Sequence, residues 1–250
     1  MGVRDRLAAE AQLALRSFLR RRTAVFFTFA FPAIIVLIFG VLIQVGPAAG
    51  GLFSEPASYY VAGYLAVVVL FTPLSRLGST VARHRDSNRF VLLAVGPLSR
   101  LEWLVAHTLV TTAIVLVAAA LLLVLLVAVT PVRLPGPTGV GLMLLAVGLG
   151  GMAFGALGAL IGSLTRSTDG VIAAANAVAL PLLFLSETFI PPALLPAWIA
   201  PVMLLSPLTY VVRPIRLVTV EGVVSPLALV PITAVMIVAL VAAARVLPRL

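Results

Sequence analysis

The feature that most constrains this chain is a series of long apolar runs joined by short polar links. A helix crossing the roughly 30 Å hydrocarbon core of a bilayer needs about 20 mainly apolar residues. Six stretches reach that length: 23–45, 59–80, 103–129, 138–164, 170–189 and 226–246. Arg76 breaks the second, close enough to its end to reach toward the interface. Composition agrees with these runs. At 62% hydrophobic and 10% charged residues, and a mean hydropathy of +1.21, the chain has too little polar sequence to clothe a water-soluble fold of 250 residues. It reads as an all-α polytopic membrane protein with six transmembrane helices.

Arginine placement orients it. With residues 1–22 on the inner side, fourteen of the seventeen arginines fall inside, and only Arg133, Arg213 and Arg216 fall outside. The whole net charge of +9 then lies on the inner face, and both termini are expected in the cytoplasm of a cell-membrane protein. Such one-sidedness also supports an even number of crossings, since an odd number moves Arg245 and Arg249 outside. A cleaved signal peptide is not expected despite Pro47-Ala48-Ala49-Gly50, because the charged leader and the first apolar run are both too long.

Two segments depart from plain spans. In Val3–Leu19, the residues Val3, Leu7, Ala11, Leu15 and Phe18 recur at helical spacing, so 1–22 is expected to form an amphipathic helix in the inner interface. The apolar stretch 190–225 is broken by Pro191, Pro192, Pro196, Pro201, Pro207 and Pro214, which leave no room for a full helix. Two short helices dipping in from the outer side are expected there, the segment preceding the last span; residues 23–250 otherwise form the membrane domain.

Absent residue types exclude most chemistry. All seventeen basic residues are Arg and there is no Cys. That removes the P-loop lysine, Schiff-base chemistry, disulfides and thiol nucleophiles. His84 and His107 are too few for a three-His metal centre, and no serine-hydrolase or zinc-protease motif occurs. No catalytic site, metal, bound cofactor or nucleic-acid partner is expected.

The remaining candidates concern docking, packing and gating. The inner loop 81–101 holds Arg83, His84, Arg85, Asp86 and Arg89; it suits either anionic lipid of the membrane or docking of a soluble partner. Gly151, Gly155, Gly158 and Gly162 recur three or four residues apart in the fourth span, a pattern that lets helix backbones approach closely. Asn176 and Pro181 are polar or kinked positions in the fifth. Glu187, near that span's outer end, is either a functional carboxylate or a structural partner of Arg213 or Arg216, which share a helical face.

The order of these pieces resembles the type-2 ABC exporter permeases. Arg20-Arg21-Arg22 followed by Phe31-Pro32 is similar to the family's first span. The run from Val81-Ala82-Arg83-His84-Arg85-Asp86 into Gly96-Pro97-Leu98-Ser99-Arg100 resembles its first inner loop. Ala153-Phe154-Gly155 through Gly162-Ser163-Leu164, Leu182-Leu183-Phe184-Leu185-Ser186 and Ser206-Pro207-Leu208-Thr209-Tyr210 resemble its later signatures. The chain departs from the pattern at Val91, where an acid is usual, and at Ser186-Glu187, where Ser-Gly is favoured. The resemblance implies a permease forming the translocation path as a homodimer, or a heterodimer with a related permease. It implies a separate ABC ATPase subunit carrying ATP and Mg. It further implies that Arg83–Arg89 form a coupling helix entering the ATPase, flanked by the N-terminal helix. Pro192, Trp198, Tyr210, Glu187, Arg213 and Arg216 would then belong to the outer gate or substrate path. The alternatives are a membrane-embedded scaffold or sensor without transport, and a lipid-processing enzyme.

Overall fold

In the computed structural model the described residues are 2–42, 55–165, 167–191 and 195–247, and among them every regular element is helical. The helices are α1 (Val3–Leu19), α2 (Arg22–Leu37, continued by a π turn over Ile38–Leu42), α3 (Ala57–Asp86), α4 (Arg89–Ala94) and α5 (Arg100–Val129). They continue as α6 (Pro137–Leu164), α7 (Thr168–Phe184), α8 (Ala200–Met203), α9 (Thr209–Thr219) and α10 (Val230–Val246). The end of the first apolar run, Pro47-Ala48-Ala49-Gly50, Arg166, Pro192 and Arg249 lie outside the described residues.

Among the described residues five segments are long and apolar enough to cross a bilayer: Arg22–Gly40, Ala57–Asp86, Arg100–Val129, Pro137–Leu164 and Pro226–Val246. The run at 170–189 forms the 17-residue α7, roughly 25 Å long at 1.5 Å per residue. Hydropathy overestimates this helix because its last residues satisfy one another locally. After the last helical bond, from the Leu185 N–H to the Pro181 carbonyl at 2.8 Å, the Ser186 hydroxyl donates to the Leu183 carbonyl at 2.9 Å and meets Thr188. The opposite error occurs in α3, which continues past Thr80 to Asp86. Polar residues end an apolar run without ending a helix; what stops α3 is the turn at Ser87 and Asn88, where Asn88 takes a left-handed φ of 53°.

Local chemistry fixes other helix starts. Ser99 and Glu102 form a reciprocal capping box at α5, with Glu102 accepting from the Ser99 N–H at 2.7 Å. Ser167 caps α7 by accepting from the Gly170 N–H at 3.1 Å, and Pro137 opens α6 where its missing N–H costs nothing.

α3 is the hub. Its most apolar window is 78% buried, against 11% in α2 and 22% in the last helix. α5, α6, α7 and α9 pack around it, and Tyr60, Leu65 and Leu70 meet Leu122, Met143, Phe154 and Ile215 in the main core. Closest of all is the α3–α6 crossing. A Cβ at Gly158 would collide with the Leu74 carbonyl, one at Gly162 with the Gly78 carbonyl, and one at Gly78 would lie 2.9 Å from the Gly158 carbonyl. Only a chain without side chains at these points allows the two backbones to touch. Gly151 and Gly155 are different: a Cβ there would make ordinary contacts of 3.5 and 3.6 Å with α5 and α3 side chains.

Candidate functional site

Chemistry gathers at the two ends of the bundle and in a cavity along one flank. At the arginine-rich end, α1 lies on α5 through Glu10, Ala14 and Phe18, with Ala14 and Phe18 packed on Val110 and Ile114. The buried face shares Phe18 with the stripe read from the sequence, with Ala11 packed beside it, whereas Val3 and Leu15 of that stripe are exposed. Glu10 is buried and accepts from His107 Nε2 at 2.9 Å, while Arg89 approaches the same carboxylate oxygen at 3.5 Å. Burial alone would raise the Glu10 carboxyl; the His107 hydrogen bond and the charges of His107 and Arg89 outweigh it and hold it below the usual carboxylate value. A second tie runs from Arg6 to Glu102 at 2.6 Å. Arg76 does not extend toward lipid: it donates to Thr111 and to the Ala14 carbonyl and stands 5.1 Å over the Phe18 ring, because α1 covers it.

The residues read as one coupling segment are shared between two helices with separate tasks. Arg83–Asp86 form the last turn of α3 and Arg89 the first of α4, so no single helix spans 83–89. Arg85 donates to the Thr165 and Gly162 carbonyls, capping the C-terminus of α6 where a positive charge suits the helix dipole. His84 joins Phe90, Trp103 and His107 in a cluster of ring contacts, with Trp103 stacked on His107 at 4.3 Å. Arg83 donates to Thr80 at 3.0 Å, and Asp86 is exposed. Amid exposed charges such as Asp86, Arg20, Arg21 and Arg22, α4 and the residue after it present an apolar edge: Val91 is 65% exposed, Leu92 70% and Val95 87%. The sequence signal was there in Phe90-Val91-Leu92-Leu93-Ala94-Val95, an apolar run too short to span. Glu10 and Trp103 had no such signal, because their partners lie far along the chain.

At the opposite end, Glu187 is 8% exposed and clamps α9. Arg213 donates to both carboxylate oxygens, Nη2 to Oε1 at 2.5 Å and Nε to Oε2 at 3.2 Å. Arg216 donates to the Glu187 and Thr188 carbonyls and lies 3.8 Å above the Tyr59 ring at the start of α3. Tyr210 donates to the Leu204 carbonyl at 2.7 Å, tying α9 to α8. Trp198 stands apart, 71% exposed on the short 3₁₀ turn. The structure thus joins Glu187, Arg213 and Arg216 and leaves Trp198 outside that cluster.

Between α1, α2, α3 and α7 opens a cavity of about 1160 Å³. Arg21, Arg76, Arg83 and Arg89 line the arginine-rich part; Phe27, Phe31, Val67 and Phe71 line the part further along α2 and α3, with Asn176 contributed by α7. Among the described residues no cluster of His, Asp and Glu is grouped to hold a metal ion.

Comparison with known proteins agrees with this architecture. A search of curated proteins gave no match. The profile of the family described as ABC-2 type transporter matches residues 8–219, from α1 through the end of α9. That match takes in most of the chain, including both polar ends and the cavity, and the chain belongs to the ABC-2 type transporter family.

Proposed function

We propose that this chain is the permease subunit of an ABC exporter, working as a dimer and driven by a separate ATPase subunit bound at the arginine-rich end. The observation that carries the reading is the exposed apolar edge of α4 at Val91, Leu92 and Val95, on a helix locked to the bundle. Phe90 anchors α4 in the ring cluster with His84, Trp103 and His107, and Arg89 reaches Glu10 of α1. A partner that displaces α4 therefore moves α1, α3 and α5 together. Exposed apolar side chains of this kind, ringed by charge, suit a protein partner. The chain's lack of lysine fits hydrolysis of ATP, with its Mg, on that partner.

On this reading the arginine-rich end and both termini face the cytoplasm, with α1 at the interface, in keeping with the positive-inside pattern. α7 makes the sixth crossing, shorter than its neighbours and completed by the turn after Pro181. α8 and α9 dip in from the outer face, their backbone sheltered by protein, and Glu187 with Arg213 and Arg216 holds them closed against α3 and α7. The poorly buried α2, with Phe26 62% and Ile34 48% exposed outside the cavity, supplies apolar surface for the second protomer or for lipid. ATP binding drives export only insofar as the ATPase binds the inward- and outward-open packings differently.

The test is affinity purification of the tagged chain from its own cells in mild detergent. A near-stoichiometric P-loop ATPase is the expected companion. A chain that stays solitary through several detergents contradicts the reading and favours a membrane scaffold.

A further inference from the structure

We infer that the cavity between α1, α2, α3 and α7 binds an amphipathic anion, its charged head on Arg21, Arg76 and Arg83 and its apolar tail along Phe27, Phe31 and Phe71. The charge balance of the cavity leads to this. Among the described residues, no carboxylate oxygen lies within 4 Å of any of these three arginines; the ion pairs elsewhere use Arg6, Arg85, Arg89, Arg213 and Arg216. Arg76 and Arg83 are instead held by neutral oxygens, from Thr111, Ala14 and Thr80. The two carboxylates on the cavity wall are already engaged, Glu10 with His107 and Arg89 and Asp86 with Arg85. Three guanidinium groups without a counter-charge, Arg76 and Arg83 partly buried and Arg21 exposed at the mouth, favour an anion with several acceptor oxygens, such as a phosphate ester. An intramembrane arginine that faces a cavity rather than lipid marks a ligand path on the same energetic ground.

Segregation along the cavity supplies the second half of the inference. On α3 the lining runs from Val67 and Phe71 to Arg76 and Arg83, a length of about 24 Å at 1.5 Å per residue. On α2 it runs the opposite way in sequence, from Arg21 to Phe27 and Phe31. Both helices therefore place cation at one end and aromatic surface at the other, the pattern of a molecule with a charged head and an apolar chain. A free inorganic anion would use only half of it.

Binding is a property of this chain; that the bound molecule is cargo rests on the permease reading. The experiment therefore uses the full-length chain alone, in nanodiscs of zwitterionic lipid, with dodecyl phosphate as probe and thermophoresis as readout. Saturable binding is expected, with inorganic phosphate about tenfold weaker or worse and dodecyltrimethylammonium silent. Arg21→Gln, at an exposed position, and Arg83→Gln each weaken it about tenfold, Arg83→Lys retains most of it, and Arg133→Gln leaves it unchanged. Phe31→Ala weakens dodecyl phosphate but not inorganic phosphate. Equal affinity for the two phosphates, or unchanged binding in both Gln variants, overturns the inference. Phosphatidylglycerol titrated into the nanodiscs separates the sources: competition identifies membrane lipid as an occupant of the same site, and its absence identifies a distinct amphiphile, either result consistent with the head-and-tail site. Absence of an ATPase partner would remove the permease reading and leave this binding intact.

Discussion

At the residue scale, two carboxylates, Glu10 and Glu187, each tie elements together at one end of the bundle. Glu10 links α1 to α5 through His107 and to α4 through Arg89. Its carboxyl lies below the ordinary value of 4.5 in the folded chain. Its contribution is therefore fully present above that value and is lost as pH falls through the lowered folded one. Release of α1, followed by proteolysis within residues 2–21, is expected to rise on acidification below about pH 4.5 in the parent protein, and Glu10→Gln should flatten that dependence. An identical acid response in Glu10→Gln would show that another group controls α1. Glu187 plays the corresponding part at the other end. Glu187→Gln leaves Arg213 and Arg216 with a weaker partner and should cost about 1–3 kcal/mol in thermal or denaturant unfolding, less than for a fully buried pair, because the Arg213 side chain is 46% exposed. Gly158 bears on packing alone. Gly158→Leu forces a side chain into the Leu74 carbonyl and should lower stability by about 3 kcal/mol or abolish folding. Gly151→Ala, with room for a Cβ, should be nearly neutral. Equal effects at the two glycines would remove the distinction drawn between them. The sequence carried the small-residue stripe of α6 but not its division of labour, because spacing tells which residues share a face and not which face meets backbone. It also carried the possible pairing of Glu187 with Arg213 or Arg216, since few outer charges compete. Glu10 was illegible because His107 lies 97 residues away.

At the element scale, the apolar runs located the long helices well, since each must supply a spanning length of side chains. They located helix ends poorly. α3 outruns its apolar stretch by a turn and a half and takes Arg83–Asp86 with it, whereas α7 stops short where Ser186 and Thr188 satisfy one another. Hydropathy reports where side chains prefer to be, and helix ends are set by backbone hydrogen bonding and caps. The same distinction explains α4. Its arginine-rich surroundings drew attention in the sequence, yet Arg85 faces α6 and Arg89 faces Glu10, and the free surface is Val91, Leu92 and Val95. Val91→Asp with Leu92→Asp should leave the purified chain monodisperse, because both positions are exposed, while reducing recovery of the co-purifying ATPase about tenfold or more. Undiminished recovery would place the ATPase contact elsewhere.

At the scale of the whole molecule, a buried α3 stands between an arginine-rich end and a clamped opposite end. Tyr59 at its start supports Arg216, and His84 near its close supports Phe90. A continuous helix of 30 residues, with Pro73 within it, joins the proposed ATPase contact to the proposed outer closure. Close backbone contact with α6 makes those two helices one unit, so a push on α4 is passed along the bundle instead of being absorbed by local bending. The proposed exporter function rests on the ATPase meeting α4 and no other end of the molecule. The most direct measurement places a photocrosslinking amino acid at Leu92, and in a second variant at Leu205 near α9, which is at least as exposed, and irradiates intact cells. Crosslinking of a P-loop ATPase from Leu92 and none from Leu205 is the predicted result. Equal capture from both positions, or none from Leu92 while the ATPase still co-purifies, would contradict it.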